Sequence, residues 1–147
     1  MASIYDTSDN TQLINRIQKL NASSTPLWGK MSVDQICEHY IAAINVAFGK
    51  QDLTISFPMR LLGRLLKNKA FNSDFGKNSP TAKEFRITSH SDFEKSQTQL
   101  IACVQEFAKG TSVITVMHHP FWGKMSFEDW DKLMYRHLDH HLRQFGV

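Results

Sequence analysis

Three of the seven histidines in this chain are spaced as though to meet. His137 and His141 stand at i and i+4 in "RHLDHHLRQF". On a helix their imidazoles lie one above the other, and both can reach a single ion. His39 sits in "VDQICEHYIAAINVAF", beside Ile36, Ala43 and Val46. It lies about 100° from the polar stripe of Asp34, Glu38 and Asn45. Three neutral imidazoles at one point form a site for a divalent cation. Zn and Ni lead on ligand type, with Fe, Mn and Cu behind them. Three protein ligands leave a coordination position open, which is the catalytic rather than the structural form of such a site.

The elements that must position these residues can be read from helical angles. With Phe127 set to zero, Trp130, Met134, Leu138 and Phe145 form an apolar arc from about 300° through 20°. His137 and His141 join it at about 280° and 320°, while Lys132, Arg136, Asp139 and Arg143 gather opposite. His140 falls near the polar edge, at about 220°, and is expected to point away. Depth adds a second constraint. His39 is about 10 Å past the start of its helix, and His137 and His141 are about 16 and 22 Å past theirs. Only an antiparallel pair brings all three to one level.

A bland account competes with the metal site. A single histidine near an apolar face is usually a hydrogen-bonded core residue. Burying three without partners would cost on the order of 1–3 kcal/mol each. A histidine–carboxylate network needs Glu38 or Asp139, and both lie on polar faces. His118 and His119, in "HHP", read as loop structure, and His90 as a helix start. No general base is assigned, because Tyr40, Tyr135 and Glu38 lie at angles that are only permissive. Cys37 lies in the core stripe and reads as a small hydrophobe rather than a nucleophile.

Four long amphipathic helices account for most of the chain: Ser8 to Asn21, Ser32 to Phe48, Ser91 to Lys109, and Ser126 to Phe145. The pattern predicts an all-α four-helix bundle in one domain, residues 1–147, with a long crossover between the second and third helices. The stretch Trp-Gly-Lys-Met-Ser occurs twice, at 28–32 and 122–126. Each copy supplies an N-cap serine, with Gln35 or Asp129 at N3 as in a capping box. Trp28 and Trp122 are expected to seal the bundle ends. "TSVITVMHHP" is β-branched, but no partner strand is evident, so it reads as a connection.

The crossover holds "PMRLLGRLLKNKAF", read as a short helix. Its Arg60, Arg64, Lys67 and Lys69 come with no acid. The plain reading is a solvated face, and a sharper one is a lid that attracts an anionic substrate. Contact with a membrane surface is a third reading, set back by the shortness of the helix. A net charge of +3 and the lack of a basic stripe interleaved with aromatics argue against nucleic acid. Two cysteines are too few for a disulfide framework. With no signal peptide or membrane span visible, a cytoplasmic protein without a membrane partner is expected.

His39, "HPFWGKMS" and "HLDHHLRQFGV" together resemble the DinB-like superfamily of metalloenzymes. The match is nearest to a branch of unknown function with an "HPFFGK" type segment and an "HLDHHLRQFG" ending. The resemblance implies an up-down-down-up bundle with His39, His137 and His141 as metal ligands, and frequent dimers. It favours a transferase acting through a low-molecular-weight thiol on a small electrophilic substrate. A metal-dependent hydrolase and a non-catalytic bundle that uses the site for stability are the alternatives. Better-known members carry "HHRGQ" where this chain has "HHLRQ", so no role carries over to Arg143 or Gln144.

Overall fold

A computed structural model describes residues 2–147. Its helices are α1 (Thr7–Lys19), α2 (Val33–Ala47), α3 (Phe57–Asn72), α4 (Phe93–Phe107) and α5 (Phe127–Gln144). Two strands, β1 (His118–His119) and β2 (Gly123–Lys124), pair antiparallel. The fold is all-α, a bundle of α1, α2, α4 and α5 around one apolar core. Leu13, Ile17, Ile44, Val104, Phe107, Trp130 and Leu138 lie at its centre. The four predicted long helices are present, with ends within two residues of those read from periodicity.

Hydrogen bonds between helices give their directions. Tyr40 on α2 donates to the Met134 carbonyl on α5, and Leu27 N–H just before α2 donates to the Gln144 carbonyl at the end of α5. These two helices are therefore antiparallel. Asp34 meets Ser91, and Glu38 meets Ser96, so α2 and α4 run parallel. Asn10 meets Val104 and Gln97 meets Ile17, so α1 and α4 are antiparallel. The bundle is up-down-down-up, with α3 inside the long crossover.

Both copies of Trp-Gly-Lys-Met-Ser start helices. In α5 the Ser126 hydroxyl accepts from Asp129 N–H at 3.0 Å, and Asp129 reaches back to Ser126 N–H at 2.9 Å. In α2, Gln35 accepts from Ser32 N–H at 3.1 Å within a capping box. The Ser32 hydroxyl also donates to the Asp34 carboxylate.

Two expectations are corrected. The crossover helix is not short: α3 runs for 16 residues with Pro58 in its first turn, where the absent N–H costs nothing. The segment before α5 is not only a connection. His118 pairs with Lys124 and His119 with Gly123, and a partner strand of two residues is too brief to leave a period-2 signal. The hairpin braces the start of α5, because the Trp130 indole N–H donates to the Val116 carbonyl at 2.7 Å.

Candidate metal centre

The antiparallel pairing of α2 and α5 brings His39 against His137 and His141. One ring nitrogen from each lies within 4.8 Å of the others, and no fourth His, Cys, Asp or Glu among the described residues joins them. Imidazole nitrogens bound at about 2.0–2.1 Å around a tetrahedral ion lie roughly 3.3 Å apart. One pair here, His39 Nε2 and His137 Nε2, is 3.0 Å apart. The three residues picked out by angle and depth are thus the three that the fold brings together.

The outer nitrogens decide what the inner ones can do. His39 Nδ1 lies 2.8 Å from the Phe85 carbonyl, which can only accept, so Nδ1 carries the proton and Nε2 a lone pair. The Gln144 amide donates to the Trp28 carbonyl at 2.6 Å, which leaves its Oε1 facing His141 Nδ1 at 2.9 Å. His141 Nε2 therefore also presents a lone pair. Partners of this kind fix the tautomer and orientation of a ligating histidine. Without an ion, His137 can donate to His39, but no donor among the described residues reaches His141 Nε2.

Desolvation favours the uncharged form of all three rings. It pushes His141 down to about 3, with His39 nearby adding to the effect. Burial likewise lowers His39, and it lowers His137 with help from His141 and His39. Neutral imidazole is the form that binds a metal. The surroundings are aromatic. The Phe85 ring stands edge-on to His39 at 5.7 Å, and Phe75 to His137 at 5.9 Å. Both come from the chain between α3 and α4. That chain is tied down by Glu84, which accepts from Thr54 N–H at 2.9 Å, and by Asp74, which pairs with Arg143 at 3.2 Å.

A family model described as "Protein of unknown function (DUF1569)" matches residues 5–146. The chain belongs to this family. No curated protein and no solved structure matches it.

Other candidates fall outside the cluster. Glu38 accepts from Ser96 at 2.6 Å, and Asp139 pairs with Arg16 at 2.8 Å, so neither forms the carboxylate network with the histidines. Tyr40 is fully buried and spends its hydroxyl on Met134, which removes it as a base. Burial pushes the Cys37 thiol up to about 12, consistent with a core role. His90 is exposed and meets Asp34 at 3.1 Å. His119 is buried in its own loop, where Nδ1 accepts from Phe121 and Trp122 N–H at 3.0 and 3.2 Å.

His140 differs from expectation. It is buried rather than solvent-facing, because Trp28 and Phe75 cover that side of α5 with ring centroids 5.7 and 6.0 Å away. Gln144 was given no role from the sequence, yet it holds His141. Its i+3 spacing from His141 was the available signal. Of the four basic residues of α3, Lys67 is turned away from the cluster. Lys67 pairs with Asp129 at 2.8 Å, eight residues and about 12 Å before His137 along α5.

Proposed function

We propose that this chain is a divalent-metal-dependent enzyme of the DinB-like superfamily, with His39, His137 and His141 holding one Zn or Ni ion. The observation that carries this reading is the pair of fixed tautomers: Phe85 and Gln144 turn the lone pairs of His39 and His141 inward, toward His137. The donor set fits a borderline divalent ion. When bound, such an ion supplies a Lewis acid that lowers the pKa of a coordinated thiol.

The reaction we infer is transfer of a low-molecular-weight thiol to a small electrophile. The protein's share of the work is orientation and exclusion of water. Phe85 and Phe75 wall the histidines with apolar rings, which suits an apolar electrophile and strengthens electrostatic interactions within. No described His, Cys, Asp or Glu completes a closed four-ligand site, which favours an enzyme over a structural metal. Hydrolysis of a small ester remains the second reading, on the same open position. The relatives implied by the resemblance are often dimers, and we carry that forward as part of the proposal.

Two measurements test it together. The Co-substituted protein titrated with 2-mercaptoethanol should develop a near-ultraviolet sulfur-to-metal charge-transfer band. The Zn- or Ni-loaded protein should accelerate conjugation of that thiol to monobromobimane, and His137→Ala should not. A metal-loaded protein with neither the band nor the acceleration would sink the transferase reading. Metal-dependent cleavage of p-nitrophenyl acetate in its place would favour the hydrolase.

A further inference from the structure

The most unusual surface of the molecule is α3. Among the described residues, eight large apolar side chains are exposed, and six of them lie on this helix. Phe57 is 79% exposed, Leu65 73% and Leu61 52%. Leu62, Leu66 and Met59 complete the set. At about 100° per residue from Phe57, Leu61, Leu65, Leu62 and Leu66 fall at about 40°, 80°, 140° and 180°. The side turned to the bundle is opposite, where Gly63 and Phe71 are buried and Lys67 is held by Asp129. The apolar arc is therefore the outward face. A contiguous exposed patch of this kind marks an interaction surface.

Charge selects the occupant. No Asp or Glu occurs between Asp52 and Asp74. Arg60 and Arg64 border the arc at its bundle-side edge, at about 300° and 340°, where Arg60 Nε donates to the Ile55 carbonyl at 2.9 Å and the Arg64 stem lies against Gly123. Lys69 stands beyond the last leucine, and all three remain exposed. The nearest acids on α5 are already spent, Asp129 on Lys67 and Glu128 on Lys132. A second copy docking through this face would bring together two cationic helices with no acid on either. An anionic bilayer surface offers what the helix lacks: a negative headgroup layer for the cations and an acyl boundary for the leucines. At 16 residues, α3 is also longer than the sequence suggested. No helix among the described residues is long and apolar enough to cross a membrane, so the contact is peripheral.

We propose that α3 docks this protein onto anionic lipid surfaces, with Phe57, Leu61 and Leu65 in the acyl boundary and Arg60, Arg64 and Lys69 on the headgroups. The proposal does not depend on the histidine site. Co-sedimentation of the full chain with vesicles tests it, using pure phosphatidylcholine and phosphatidylcholine mixed with phosphatidylglycerol. Binding to the anionic vesicles should be at least about tenfold tighter than to the neutral ones, and should weaken with salt. The double variant Leu61→Gln/Leu65→Gln should lose binding, and Arg60→Gln/Arg64→Gln should lose the preference for the anionic lipid. All four positions are exposed, so melting temperature should hold in both variants. No binding by the wild type, or equal binding to both vesicles, overturns the proposal. So does a wild-type dimer by light scattering that the leucine variant turns into a monomer, since the face would then belong to a second copy.

Discussion

The two copies of Trp-Gly-Lys-Met-Ser lie at opposite ends of the antiparallel α2–α5 pair, and each stands beside a histidine, His141 at the first and the buried His119 at the second. Both copies turn through a glycine at positive φ, Gly29 at 83° and Gly123 at 77°, and both end in a serine that caps a helix. Beyond that they diverge. At the second copy, the acceptor nitrogen of His119 is occupied by two backbone N–H groups, and Trp122 packs edge-on to Phe71 at 5.4 Å. At the first copy, the Trp28 carbonyl holds Gln144, Gln144 holds His141, and the inward nitrogens of three histidines face each other. The repeated residues are a device for starting helices. A histidine is available to hold an ion only where its lone pair has not already been used.

The largest expected effect is at the end where the lone pair is used. His119→Ala strips two backbone donors of their acceptor and should cost about 3 kcal/mol in urea unfolding. His119→Asn keeps an acceptor two bonds beyond Cβ and should recover much of that loss. Neither change should alter bound metal, and loss of metal in either would break the distinction between the two ends. Burial also pushes the His119 pKa down to about 4 from its usual 6.5. Between those values the unfolded chain binds the extra proton. Stability should therefore fall as pH drops from about 6.5 toward 4, by as much as about 3 kcal/mol, and His119→Asn should flatten that slope.

Next in size is Gln144→Leu, which removes the acceptor that fixes His141. Metal affinity measured by chelator competition should weaken by about 10- to 100-fold. Unchanged affinity would mean that His141 is oriented by something else, and the contrast with His119 would lose half its basis.

The smallest effects sharpen the comparison most. Gly29→Ala and Gly123→Ala should each cost about 1–2 kcal/mol, because both glycines are left-handed. Only the first should also weaken metal binding. A Cβ at Gly29 would meet Gln144 Nε2 at 2.5 Å, whereas one at Gly123 meets the flexible Arg64 side chain at 3.2 Å. Equal metal affinity in the two variants would show that the first copy does not support the site.

Much of this was legible because it is local or follows from the rise of a helix. The i,i+4 spacing of His137 and His141 needs only one turn, and the level of His39 needs only 1.5 Å per residue and an antiparallel partner. The serine caps are equally local. What escaped depends on contacts far apart in the chain. Gln144 is informative only once the Trp28 carbonyl, 116 residues away, is seen to hold it. His140 read as solvent-facing because a lone helix does not reveal that Phe75 and Trp28 cover it. The exposed leucines of α3 follow from its packing, since Gly63 and Phe71 are the residues it buries.

The central claim is that three imidazoles hold one divalent ion, and elemental mass spectrometry on untagged protein tests it most directly. The wild type should carry about one Zn or Ni per chain, and His137→Ala should carry none while remaining folded. No stoichiometric metal in the wild type, even after loading with Zn and Ni, would contradict the account and leave His39, His137 and His141 as a histidine cluster without an ion.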